Sequence, residues 1–183
     1  MTRGQQSQGD KFDLQIHQFV IQYCEYSDLR WKMTLTCQCP CGKQKFEISG
    51  KPVMRFICHC KICQKVYQKP FADIIAVKAS QVKRPLGSGI LFAKHRSYPN
   101  VDRGICSDCN NPVVGFMPVV PFFGLSFIPV ANFTDQSNLP AASMHTFYDR
   151  RVHDVNDHVP KISGYWPSQW AVTRDFMLNM FKA

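Results

Sequence analysis

A mainly β domain of antiparallel sheets, closed by a C-terminal helix, is what this sequence predicts. Short β-prone segments recur along it, and glycines and prolines break nearly every gap at intervals too short for intervening helices. Only the last stretch carries helical periodicity. With 183 residues, 45% of them apolar and 14 of them phenylalanine, the chain suffices for one domain with a real core.

The elements follow in order. Residues 1 to about 12 are rich in Gln, Ser and Gly and read as disordered. Leu14 to His17 and Phe19 to Tyr23 read as a strand. Met33 to Thr36 then opens a series that continues with Lys45–Ile48, Val53–Ile57, Phe71–Val77, Ile90–Ala93, Val113–Met117 and Leu125–Val130. Gly42, Pro52, Pro70, Gly87 and Pro99 punctuate the series as turn signals. From Pro167 to Phe181, Trp170, Val172, Phe176, Met177, Met180 and Phe181 recur at near-helical spacing, which predicts an amphipathic helix with its aromatics and methionines against the sheet.

Eight of nine cysteines fall into three clusters: Cys37/Cys39/Cys41, Cys58/Cys60/Cys63 and Cys106/Cys109. Cys24 stands apart. The segment Met1 to Lys11 is polar rather than basic-then-apolar, so no secretion signal and no oxidising compartment is implied. Cysteines one residue apart in an extended chain point to opposite faces, which makes a mutual bridge awkward and metal sharing in a turn feasible. The pattern reads as thiolate metal binding, with zinc the expected ion.

Seven ligands divide naturally into a saturated site of four and an open site of three with room for a further ligand. Cys39, Cys41, Cys106 and Cys109 suit the first, and Cys58, Cys60 and Cys63 the second. Spacing alone leaves a rival: Cys60/Cys63 with Cys106/Cys109 matches a two-knuckle zinc ribbon.

The formal charge is +9. Four thiolates on one Zn²⁺ and three on another would bring it to about +6, still basic. Lysines and arginines are scattered, with no nucleic-acid-type run, which argues against chromatin-type binding. The longest apolar stretch, Val113 to Val130, is interrupted by Gly115, Pro118, Pro121, Gly124 and Pro129, so it cannot span a bilayer as a helix. A soluble, cytoplasmic protein is expected.

The run Met33-Thr34-Leu35-Thr36-Cys37-Gln38-Cys39-Pro40-Cys41-Gly42, followed by Cys58-His59-Cys60-Lys61-Ile62-Cys63-Gln64-Lys65 and by Cys106-Ser107-Asp108-Cys109, resembles the glutathione-dependent formaldehyde-activating enzyme and centromere protein V family. The likeness runs from about Met33 to Pro160, with His145 and Asp157-His158-Val159-Pro160 similar to the family's closing motif. It implies a β-tent fold, a structural zinc on Cys39, Cys41, Cys106 and Cys109, and a catalytic zinc on Cys58, Cys60 and Cys63. The domain division is then an extension over 1–32, a zinc-binding domain over 33–160 and a helical tail over 161–183. The extension is either an added strand or the consequence of a start near Met33. Four departures stand out, one of them the absence, near Val152 and His153, of the tryptophan the family often has before its Asp-x-x-Pro element. Cys37 occupies a usual glycine, as an extra thiol near the structural metal. Asn110 replaces the glycine after the last cysteine, tolerably, since Asn accepts the left-handed conformation of such knuckles. Gln68 replaces a glycine beyond the open site and is expected to add bulk beside the pocket.

The activity implied is that of a carbon–sulfur lyase acting on a thiol adduct of a small electrophile, with glutathione as co-substrate, formaldehyde as electrophile and S-hydroxymethylglutathione as adduct. Arg55, Lys61 and Lys65 are the candidates for a cationic rim that would receive carboxylates. His59 would point away from its ligand neighbours in an extended chain and is assigned a supporting role. Read by itself, His145 is a hydrogen-bonded structural residue. Two other classes compete with the enzyme. One is a zinc module that contacts nucleic acid or protein through its basic surface. The other is a scaffold whose open site is filled by Cys37, Cys24 or a histidine.

Overall fold

A computed structural model describes residues 34–83, 89–97, 100–120 and 123–180. The strand expected over 14–23, and Cys24, lie outside the described residues. From Thr34 onward the fold is mainly β, in two sheets. Strand β1 (Thr34–Gln38) pairs antiparallel with β2 (Lys45–Ser49). The strands β3 (Met54–Cys58), β4 (Ala72–Lys78), β5 (Ile90–Lys94), β6 (Asp102–Cys106), β7 (Pro112–Val120), β8 (Phe123–Pro129) and β9 (His145–Thr146) form a seven-stranded sheet in the order β5-β6-β7-β8-β4-β3-β9. Every pairing in it is antiparallel except that of the two-residue β9, which runs parallel to β3.

Strand β4, Ala-Asp-Ile-Ile-Ala-Val-Lys, explains how the layers assemble. Its near-continuous apolar run is that of a strand covered on both faces. Ile75 and Val77 join one core cluster, with Leu35, Phe46 and Ile48 of the small sheet. Ala72, Ile74 and Ala76, pointing the other way by the two-residue period of a strand, join a second cluster with Phe56, Phe147, Ala171 and Phe176. The two-stranded sheet therefore covers one face of the large sheet. The C-terminal helix α2 (Tyr165–Met180) covers the other. In β1 and β2, where only one face meets the core, burial alternates strictly.

Three elements differ from the sequence reading. Strand β6 was not foreseen, because Asp102 and Arg103 make it polar and Gly104 breaks its β pattern. The glycine is required by close approach: a Cβ there would lie 2.7 Å from Ile90 Cγ2 and 2.8 Å from Phe92 Cε1. A seven-residue helix, α1 (Lys61–Tyr67), fits into a gap judged too short for one. It is nucleated by Cys60 as N-cap and closed by Gln68, which takes a left-handed φ of 51° and returns its N–H to the Gln64 carbonyl. In α2 the buried positions are Ser168, Ala171 and Phe176, with Val172 and Met180 partly buried, whereas Trp170 and Met177 face outward at 71% and 46% exposure. The inward stripe follows 168, 172, 176 and 180, one step of four apart, and leaves Trp170 off the contact face. Among the described residues, no helix is long and apolar enough to cross a membrane.

Candidate metal centres

The first centre joins two turns that are distant in sequence. Cys39 follows β1, Cys41 sits in the same turn before Gly42 at φ +73°, Cys106 ends β6, and Cys109 precedes Asn110 at φ +54°. Asn110 thus adopts the left-handed conformation expected of it. The sulfurs stand 3.1 Å apart for Cys39–Cys41, 3.8 Å for Cys39–Cys106 and 3.7 Å for Cys41–Cys106, far beyond disulfide bonding. Sulfurs placed tetrahedrally at 2.3 Å from a common ion lie about 3.8 Å apart, so this set fits zinc. The Gln44 N–H donates to Cys39 Sγ at 3.3 Å, and a Lys43–Asp108 ion pair of 2.7 Å joins the two turns at the surface.

Electrostatics makes the same point. Burial opposes ionisation of Cys39, yet hydrogen bonds from Cys41, the Gln44 N–H and Cys106 hold its pKa below the ordinary thiol value. Burial likewise opposes ionisation of Cys109, but bonds from Asn111 bring it down to about 6. The Lys43 N–H favours the thiolate of Cys41, but neighbouring Cys39 overrides it and Cys41 rises to about 12. The four sulfurs cannot all ionise together without a cation among them.

The second centre is local. Cys58 ends β3, Cys60 caps α1 and accepts the Cys63 N–H at 3.4 Å, and Cys63 lies buried in the first turn of the helix. Their sulfurs all lie within 4.8 Å of one another, and among the described residues no fourth Cys, His, Asp or Glu joins them. Hydrogen bonding from Cys58 and Cys63 brings Cys60 down to about 2, while Cys58 is pushed up to about 12 and Cys63 well above the ordinary range. Ionisation of one sulfur opposes that of its neighbours, so three thiolates together call for a cation among them. The residues fit zinc as an open site.

The grouping excludes the zinc-ribbon pairing, since Cys60/Cys63 and Cys106/Cys109 belong to different sets. Cys37 belongs to neither. It is fully buried within β1, and burial raises its pKa to about 12, so it packs as a neutral thiol.

Behind the open centre runs a chain of hydrogen bonds that sequence reading found only in part. His145 Nε2 meets Asp157 Oδ2 at 2.9 Å, His145 Nδ1 meets His59 Nε2 at 2.8 Å, and Lys161 Nζ donates to Asp157 Oδ1 at 2.7 Å. His145 thus spans the carboxylate and His59, one ring nitrogen to each. His59 is held neutral chiefly by burial, which lowers its pKa to about 4. Its main chain is anchored too, the N–H to the Thr146 carbonyl at 3.0 Å and the carbonyl to Gln64 Nε2 at 2.7 Å. The residue between two sulfur donors is therefore held through its main chain and Nε2 and packs against Phe71 and Tyr148, while its buried Nδ1 has no hydrogen-bond partner among the described residues.

A pocket opens on the three sulfurs. Its walls come from β3, β4, β7 and β8 through Phe56, Ile74, Met117 and Phe127, and from α2 through Gln169 and Val172. Arg55, Lys61 and Lys65 do not line it. Arg55 is engaged by Asp73 in a two-pronged pair, Nε–Oδ1 2.9 Å and Nη2–Oδ2 2.7 Å. Lys61 bonds to Gln64 Oε1 and the Arg150 carbonyl, and Lys65 is exposed on α1. Gln68 is spent on capping and does not crowd the pocket either. Among the described residues, the cations that do line it are Arg96 and Arg103, from a loop and from β6, and nothing in the local sequence around them pointed to a site.

No curated protein matches the chain. The family model described as glutathione-dependent formaldehyde-activating enzyme matches residues 34–150, a stretch that holds every cysteine of both centres. With nearly two thirds of its length so matched, the chain belongs to the glutathione-dependent formaldehyde-activating enzyme family.

Proposed function

We propose that the protein makes or breaks the carbon–sulfur bond in the adduct of a small thiol of the glutathione type with a small electrophile such as formaldehyde, at the centre formed by Cys58, Cys60 and Cys63. The observation that carries this reading is the set of three convergent sulfurs at the floor of a pocket, with no fourth protein donor among the described residues. Cys58, Cys60 and Cys63 would hold the catalytic zinc, and Cys39, Cys41, Cys106 and Cys109 the structural one. Zinc bound at the open centre would lower the pKa of an incoming thiol and keep it as the nucleophilic thiolate.

The chain's own residues supply position and dryness. The Cys63 N–H fixes Cys60, and the Asp157–His145–His59 chain holds the strand-to-helix turn that carries two of the sulfurs. Phe56, Ile74 and Phe127 keep water from the floor of the pocket. In the forward direction a sulfur lone pair forms the C–S bond, the carbonyl π pair moves to oxygen, and that oxygen takes a proton from solvent. The reverse step returns the thiolate and the aldehyde.

Exchange spectroscopy of glutathione, formaldehyde and S-hydroxymethylglutathione by NMR tests this. The zinc-loaded protein is expected to accelerate the exchange over buffer and Cys60→Ser to abolish that acceleration. An exchange rate equal to buffer with the wild-type protein would contradict it.

A further inference from the structure

The pocket's chemistry is more specific than the reaction proposed for it. Its lining is overwhelmingly apolar: Phe56, Ile74, Val101, Met117, Phe127 and Phe147 dominate. Phe56 and Phe127 meet edge-to-face at 6.2 Å, a packed and therefore shape-retaining wall. A hydroxymethyl group is a single hydrated carbon, and glutathione, polar along its length, would cover such a surface less fully than a thiol with an apolar body. Yet two arginines line the same pocket, and among the described residues no carboxylate side chain does. Arg96 is held over the Tyr165 ring at 5.3 Å and donates to the Tyr165 hydroxyl at 3.2 Å, while Arg103 donates to the Val101 carbonyl at 3.3 Å. Each of these bonds occupies one of a guanidinium's five N–H donors, so both side chains are oriented and still able to receive an anion.

We infer that the open centre takes a thiol with an apolar body and a carboxylate end, the body covered by Phe56, Ile74, Met117 and Phe127 and the carboxylate received by Arg96 and Arg103. This rests on the thiol-binding reading above and, among the small thiols that reading admits, ranks aliphatic or aromatic mercapto acids and their adducts first. Apolar burial strengthens binding by about fourfold per methylene covered, so chain length reads out the walls. Charge reads out the arginines.

Calorimetric titration of the zinc-loaded protein with 3-mercaptopropionate, 6-mercaptohexanoate and neutral 6-mercaptohexanol separates the two. The six-carbon acid is expected to bind at least tenfold more tightly than both the three-carbon acid and the six-carbon alcohol. In Arg96→Met/Arg103→Met its advantage over the alcohol should vanish, while the alcohol still binds as it does to the wild type, which shows the pocket intact. Three thiols binding within threefold of one another would overturn the inference and leave the thiol reading standing. A preference for the acid over the alcohol that survives in the double variant, or a variant that no longer binds the alcohol, would overturn the arginine assignment. Failure of every thiol to bind would overturn the thiol reading and this inference with it.

Discussion

The two cysteine centres occupy opposite faces of one sheet and are built on opposite principles. Cys39, Cys106 and their neighbours belong to the cluster under the two-stranded sheet, where the sulfurs close a chain separation of 67 residues. Cys58 and Cys63 belong to the cluster under α2, are delivered within one strand-to-helix turn, and adjoin a pocket. On a loop-closure scale, a link across 67 residues is worth about 4 kcal/mol and one across the turn from Cys58 to Cys63 about 2 kcal/mol. The distant centre can therefore stabilise more than the local one, and the local one adjoins a pocket with space for a ligand. Saturation and long reach favour stability; an open position and short reach leave room for a further ligand.

The largest effect should come from the distant centre. Cys106→Ser is expected to cost most of that 4 kcal/mol, and the midpoint of thermal unfolding should drop accordingly. Cys60→Ser should cost about half as much while removing thiol binding altogether, as read by calorimetry beside the melting curve. Equal destabilisation by the two would break the division of labour.

A smaller effect is expected behind the open centre. Hydrogen bonds from Lys161 and then His145 lower Asp157 from 3.8 to about 2. A carboxylate whose folded pKa is depressed contributes stability above its unfolded pKa and loses it as the folded value is approached. The contribution of Asp157 is thus complete above about pH 4 and fades toward pH 2. Asp157→Asn should flatten the acid limb of the stability curve over that window and weaken thiol binding at neutral pH, because the carboxylate no longer holds the His145 ring. An unaltered acid limb would remove the carboxylate from the account. Smallest of all, Lys43→Ala deletes an exposed ion pair beside the closed centre and should leave the unfolding midpoint nearly unchanged, salt having little further effect.

The cysteine sets were legible in the sequence because ligand spacing is a local property: two donors in one turn are visible whatever the rest of the chain does. The strands flanking them were legible for the same reason, through alternation at Leu35, Cys37, Phe46 and Ile48 and the apolar run of β4. The pairing of turns was legible only through resemblance, since spacing also allowed a ribbon. What escaped was set by tertiary contact. Gly104 looks like a strand breaker until Ile90 and Phe92 are seen to fill the space a Cβ would take. Arg55 looks available until Asp73 appears opposite it, and Arg96 and Arg103 look ordinary until α2 and the sheet bring them to one pocket. His59 and His145 lie 86 residues apart and meet only through the parallel β3–β9 pairing.

The central claim is the asymmetry between a saturated and an unsaturated thiolate centre, and cobalt substitution reads it most directly. The account predicts two Co²⁺ bound per chain, one with absorption indifferent to added thiol and one whose charge-transfer band grows as a thiol enters, the latter missing in Cys60→Ser. Two bands equally indifferent to thiol would contradict it.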